Sequence, residues 1–187
     1  MLSTFSRLFT NADCPPPSPM VPECLPGQGG VIPCPCNNPP RGGGLGCDNF
    51  GDGPAQSGTL DASGVASLAS DTVVLIASGE NNASLTVFFT GTASFFPTSV
   101  PHGAGVRCTS ANLKRLYVGE PVAGTISRPR LGDPSVSARS AALGAGISPG
   151  EIRHYFCVYR DPYAACPCGQ ASSTVNVTSG GSIQWVP

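Results

Sequence analysis

Glu151-Ile-Arg-His-Tyr-Phe-Cys-Val-Tyr-Arg160 is the stretch on which the fold turns. It holds three of the chain's twelve Phe and Tyr residues, with Ile152 and Val158 beside them, and neither Gly nor Pro. Aromatic and β-branched side chains suit a pleated backbone, so the stretch reads as a strand. Alternation places Tyr155, Cys157 and Tyr159 on one face and Ile152, His154, Phe156 and Val158 on the other. Both faces carry apolar surface, which predicts a central strand lying between two layers.

Outward from this strand, the β pattern extends back to Ser57. Residues 59–68 alternate loosely, and Asp71-Thr-Val-Val-Leu-Ile-Ala-Ser78 is a buried-strand run. Glu80-Asn-Asn82 reads as the turn of a hairpin completed by Leu85-Thr-Val-Phe-Phe-Thr90. Residues 113–118 and 122–126 read as further strands. Residues 128–149 form a long Gly/Pro/Ser loop with room for a short strand at 135–139. Beyond the central strand come residues 173–178, a turn at Ser179-Gly-Gly181, and a last strand at 182–186. Trp185, the sole tryptophan, is expected to be buried there against the central strand. Short strands, frequent turn signals and no convincing helix predict an all-β protein, an antiparallel β-sandwich over residues 57–187.

Residues 1–56 are a different material, a Cys/Pro/Gly-rich arm expected to be largely irregular. Much of the chain's complement of 24 Gly and 20 Pro falls here, together with Cys14, Cys24, Cys34, Cys36 and Cys47. Such a segment cannot bury enough apolar area to offset its ordering entropy, so crosslinks must hold it in any ordered state. Leu2, Phe5, Leu8 and Phe9 recur at near-helical spacing ahead of it. They suggest an assembly arm that docks on a neighbouring subunit; the competing reading folds them back on their own domain.

Only 11% of residues are charged, against roughly 25% in an ordinary soluble domain. Formal net charge is -1, Lys114 is the only lysine and the arginines are scattered, which argues against nucleic acid as a partner. No stretch approaches the roughly 20 apolar residues of a membrane span. Nine cysteines suit an oxidised, exported protein at the cell surface or outside the cell. Residues 1–10 lack the apolar run of a signal peptide, so a leader removed earlier or an unconventional route is expected.

All nine cysteines, the five above with Cys108, Cys157, Cys166 and Cys168, are disulfide candidates. Cys-Pro-Cys occurs at 34–36 and 166–168. The intervening Pro strains mutual pairing, so each sulfur is expected to reach elsewhere. A metal site built from both motifs is the weaker reading, because zinc ligand pairs usually stand two to four residues apart, and no metal is expected. An odd count leaves one free thiol or an intermolecular bridge. Asp48-Asn-Phe-Gly-Asp-Gly53 carries part of a calcium-loop pattern, but Phe50 fills a ligand position and Thr59 stands where the bidentate Glu belongs. A solvated turn is the expectation there.

No nucleophile elbow, metalloprotease motif or phosphate loop is present, so neither an enzyme nor a cofactor is expected. His154 reads as a satisfied structural residue, and His102 as a solvated loop residue. Glu151, Asp133 and Asp161 would form an acid pair only if the fold gathered them. Tyr159, Arg160 and Asp161 make a candidate ligand corner, in which Tyr would stack on a sugar and Arg and Asp would bond its hydroxyls. The competing reading is a structural turn around Asp161-Pro162.

Several of these residues fall into an ordered series. Phe96-Pro and Gly103-Ala-Gly-Val-Arg-Cys108 are followed by Gly132-Asp-Pro-Ser-Val-Ser-Ala-Arg139. His154-Tyr, Val158-Tyr-Arg-Asp-Pro162, Thr174-Val-Asn-Val-Thr178 and Gln184-Trp complete it. The series resembles the β domain that closes many large secreted proteins of planctomycete- and myxobacteria-type bacteria, over about residues 57–187. The resemblance implies export, a β fold and no particular activity. It also implies a bridge from Cys108 to Cys166 or Cys168. Two roles follow as expectations. One is a non-enzymatic structural or assembly module, a homo-oligomer or polymer of a fibre or surface layer. The other is a carbohydrate- or polymer-binding module using the Tyr159 corner or the 128–149 loop.

Overall fold

The computed structural model describes residues 17–49, 56–81, 85–162 and 175–187. In chain order the elements are β1 (Met20–Cys24), β2 (Thr59–Ser63), β3 (Val74–Ser78), β4 (Thr86–Gly91), β5 (Ala93–Ser94), β6 (Val100–His102) and β7 (Gly105–Arg107). They continue with β8 (Thr109–Ser110), β9 (Lys114–Gly119), β10 (Ile126–Arg128), α1 (Val136–Ala142), β11 (Ile152–Arg160), β12 (Val175–Val177) and β13 (Gly180–Gln184). The fold is all-β and antiparallel. One sheet runs β1-β13-β11-β4-β9, with β12 also paired to β11, and a second runs β10-β3-β2. Two short ribbons, β5 with β8 and β6 with β7, complete it.

The central strand is where its sequence places it. β11 pairs with β4 on one side and with β12 and β13 on the other. Tyr155, Cys157 and Tyr159 are fully buried. Leu60 and Ala62 of β2 and Leu75 and Ala77 of β3 join Tyr155, Cys157, Phe88 and Ile183 in one core between the sheets. The opposite face is only partly covered: Phe156 stacks on Phe89 with centroids 5.0 Å apart, whereas Ile152 is 48% exposed. Trp185 follows β13 and is buried, its indole N–H donating to the Tyr155 hydroxyl at 3.0 Å.

Tertiary context overrides several local signals. The expected hairpin around residues 80–82 does not form, because β3 and β4 lie in different sheets. Each strand buries alternate residues into the shared core from opposite sides, and Glu80 is held by the Gly124 carbonyl at 3.1 Å. Nor is Ser179-Gly-Gly181 a turn. β12 and β13 run along the same side of β11, and four residues from Val177 to Gly181 span three from Val158 to Tyr155. The extra residue is a bulge. The Gly pair serves close approach: a Cβ on Gly181 would stand 2.6 Å from Met20 Cγ and from the Val21 carbonyl. Residues 135–139 belong to a helix rather than a strand. Ser135 caps it by accepting from the Ala138 N–H, and the Asp71 carboxylate accepts from the Ser137 N–H at 2.7 Å. The strand expected at 122–126 is displaced to β10, with Val122 and Thr125 bonded across a tight loop. His102 lies half-buried in β6 rather than in a solvated loop.

The described part of the arm is irregular outside β1, as expected, but it is built into the sandwich. β1 forms the edge of the main sheet by pairing with β13. Met20 enters the main core, while Cys24, Val31, Cys47, Val106 and Cys108 form a second, smaller one. Leu2, Phe5, Leu8, Phe9 and Cys14 lie outside the described residues.

Candidate docking groove beside the β9 edge

The cysteines act as staples. Cys24 is bridged to Cys108 and Cys34 to Cys47, so the expected bridge from Cys108 to Cys166 or Cys168 is corrected. β1 brings Cys24 alongside the ribbon that carries Cys108, and sequence spacing held no sign of that docking. Cys36 is also disulfide-bonded, so neither thiol of the 34–36 motif pairs with the other. Cys166 and Cys168 lie outside the described residues. Cys157, offered as a disulfide candidate, is a free buried thiol. Burial first and the neighbouring Glu80 second push it well above the usual thiol range, which leaves it unreactive in the folded state.

The Tyr159-Arg160-Asp161 corner is a structural node. Tyr159 and Asp161 are fully buried, and only Arg160 is exposed. Asp161 accepts from the side-chain amides of Asn81 and Asn176, both at 3.1 Å. Asn176 also donates to the Asp48 carbonyl at 3.1 Å, and Asn38 donates to that same carbonyl at 2.7 Å. This network ties the arm to β12 and to the end of β11. Asp48 pairs with Arg41 at 2.8 Å. A buried Tyr159 has no face for a sugar, so the corner is corrected from a binding site to a polar joint.

The remaining ionisable groups are dispersed. Glu151 pairs with Arg153 at 2.8 Å and Asp133 stands 3.7 Å from Arg128, so neither is gathered with Asp161 into an acid pair. His154 Nδ1 meets Glu23 Oε2 at 2.8 Å across the sheet, and Ser182 donates to the other Glu23 oxygen at 2.6 Å. Among the described residues no group of three or more His, Cys, Asp or Glu could hold a metal ion. None of their helices is long and apolar enough to cross a membrane.

A groove of about 630 Å³ opens between β9 and β10. Leu85, Val118, Pro121, Val122 and Ile126 give it apolar walls, and Glu120, Arg128 and Arg130 add charge. Val118 is 50% and Val122 81% exposed, so the apolar surface is offered to solvent. A hollow of about 280 Å³ shares Val118, Arg128 and Arg130 and adds Leu116, Tyr117, Asp133 and Arg139. Apolar walls with guanidinium groups nearby suit an extended apolar segment that also carries hydrogen-bond acceptors. Part of this surface comes from the 128–149 loop marked in the sequence. Its combination with β9 arises from sheet packing, and no local pattern encodes it. Comparison with family models, curated proteins and solved structures finds no match.

Proposed function

We propose that this protein is a non-enzymatic, exported structural module that assembles head to tail at the cell surface or in an extracellular fibre. One observation carries the reading. The chain enters the main sheet at the β1 edge, and a groove of mixed polar and apolar lining that exposes Val118 and Val122 lies at the β9 edge, at the opposite end of the strand order. The segment ahead of β1, with Leu2, Phe5, Leu8 and Phe9, therefore starts from one end of a subunit and would seat in the groove of the next. Such a contact is heterologous, and its repetition gives a ring or a fibre. The low charge of the chain means that few ions need desolvating in the joint. The disulfides are compatible with an oxidising compartment.

The full-length chain is expected to form large species in light scattering and electron microscopy, and deleting residues 1–13, which spares every cysteine, is expected to abolish them. Val122→Asp in the groove wall is expected to do the same from the receiving side. A size distribution unchanged in both variants overturns the proposal. A carbohydrate role finds no support at the buried Tyr159 corner.

A further inference from the structure

β9 ends the main sheet, and a strand end of this kind exposes backbone groups that recruit another chain. Here two of its carbonyls are taken by arginine side chains. Arg139 Nε donates to the Leu116 carbonyl at 2.8 Å, and Arg128 Nη2 donates to the Val118 carbonyl at 3.3 Å. Leu116 is the extra residue of a bulge in β9 opposite β4, where the ladder is locally broken, and Val118 follows in the regular part of the strand. The two arginines reach them from different elements, Arg139 from α1 and Arg128 from the end of β10. Both side chains are held in place. α1 is capped by Ser135 and by the Asp71 carboxylate, and Arg128 lies 3.7 Å from Asp133 while also donating to the Ser127 carbonyl at 3.0 Å. Gly119 provides the room: a Cβ there would stand 2.0 Å from Arg128 Nη2 and 3.0 Å from Cζ.

We infer that Arg128 and Arg139 guard β9 against strand addition by a second copy of this chain. The hazard they meet lies where exposed Val118 and Val122 would reward a strand that paired beside them. Glycine at 119 is part of the device, because any larger residue pushes the Arg128 guanidinium off the Val118 carbonyl. The guard acts on the backbone of β9, whereas the assembly proposed above uses side chains in the groove. Either idea can therefore fail alone.

The test uses the full-length chain and two routes to an open edge. Arg128→Gln combined with Arg139→Gln removes the donors, and Gly119→Ala keeps both arginines but displaces one. Each is expected to raise thioflavin-binding, sheet-rich aggregate on the order of tenfold at equal concentration, the scale of one lost charge-assisted hydrogen bond. Hydrogen exchange at residues 114–119 is expected to slow as concentration rises in the variants and not in the parent chain. Arg160→Gln, at an exposed position that lines neither the groove nor the hollow, serves as the control. If Gly119→Ala does not fold, Arg139→Gln alone takes its place. Folded variants that keep the parent's aggregate level and exchange rate overturn the inference, as does parent protein whose 114–119 exchange already depends on concentration.

Discussion

Glu23 and His102 are two groups of the sandwich whose proton affinity is depressed by folding. Burial raises the Glu23 carboxyl, but hydrogen bonds from His154 and Ser182 outweigh it and hold the group below its ordinary 4.5. Burial first, and Arg107 second, hold His102 below its ordinary 6.5. In both cases the unfolded chain binds the proton more readily than the native protein. Each contribution is therefore full above the ordinary value and is lost as pH falls through the depressed one. The His102 loss begins below pH 6.5 and the Glu23 loss below pH 4.5. His102→Gln is accordingly expected to flatten the decline of urea-unfolding stability between pH 7.5 and 5, leaving the steeper loss at lower pH in place. An unchanged slope in that upper range would contradict the assignment. At this scale the sequence was readable wherever a residue's role followed from its own chemistry. The burial of Trp185 and the structural role of His154 are examples. Tyr159 was harder, because strand alternation points it inward while Tyr-Arg-Asp-Pro equally suits an exposed corner. Only the convergence of Asn81 and Asn176 on Asp161 decides between them.

Among the elements, β13 depends most on small residues. It carries β1 on one side and β11 on the other, and its two glycines sit where those neighbours press closest. Gly181→Ala would drive a methyl into Met20 and the Val21 carbonyl, an overpacking expected to cost about 1–3 kcal/mol. The damage should be directional. Hydrogen exchange is expected to accelerate at residues 20–24, while residues 152–160 keep their protection through β4. Equal acceleration in both segments would refute the idea that Gly181 serves mainly the β1 contact. The same glycines mark where sequence reading failed. Ser-Gly-Gly is ordinary turn chemistry, and nothing local distinguishes a chain that reverses there from one that bulges and continues. The short helix at residues 136–142 was legible in principle, through a Ser cap and a run rich in Ala, but the surrounding Gly and Pro concealed it.

For the molecule as a whole, the bridge between Cys24 and Cys108 is the largest single constraint described, with a sequence separation of 84. A loop of that length is worth about 4–5 kcal/mol in the chain-entropy account, and the Cys34–Cys47 loop about 3 kcal/mol. Replacing Cys24 and Cys108 together with Ser is therefore expected to lower unfolding stability by nearly the first amount in denaturant titration. A drop under 1 kcal/mol would mean that the pairing of β1 with β13 alone fixes the arm. The all-β class was legible because alternation recurs from strand to strand. The joining of the arm to the sandwich was not, since β1 is a five-residue strand containing Pro22, and its partner lies some 160 positions away in the chain.

That distance has a consequence for the order of events during synthesis. The first strand of the described fold pairs with the last, so the main sheet cannot close until β13 has left the ribosome. Until then the β2–β3 hairpin can pair from local sequence, while β1 waits without its neighbour. Contacts of such long range form slowly. In the interval a nascent chain carries both an unpaired first strand and, soon afterwards, an empty berth beside β13. An unpaired strand and a vacant edge of this kind are the conditions under which domain swapping competes with closure, and the competition grows with the concentration of nascent chains.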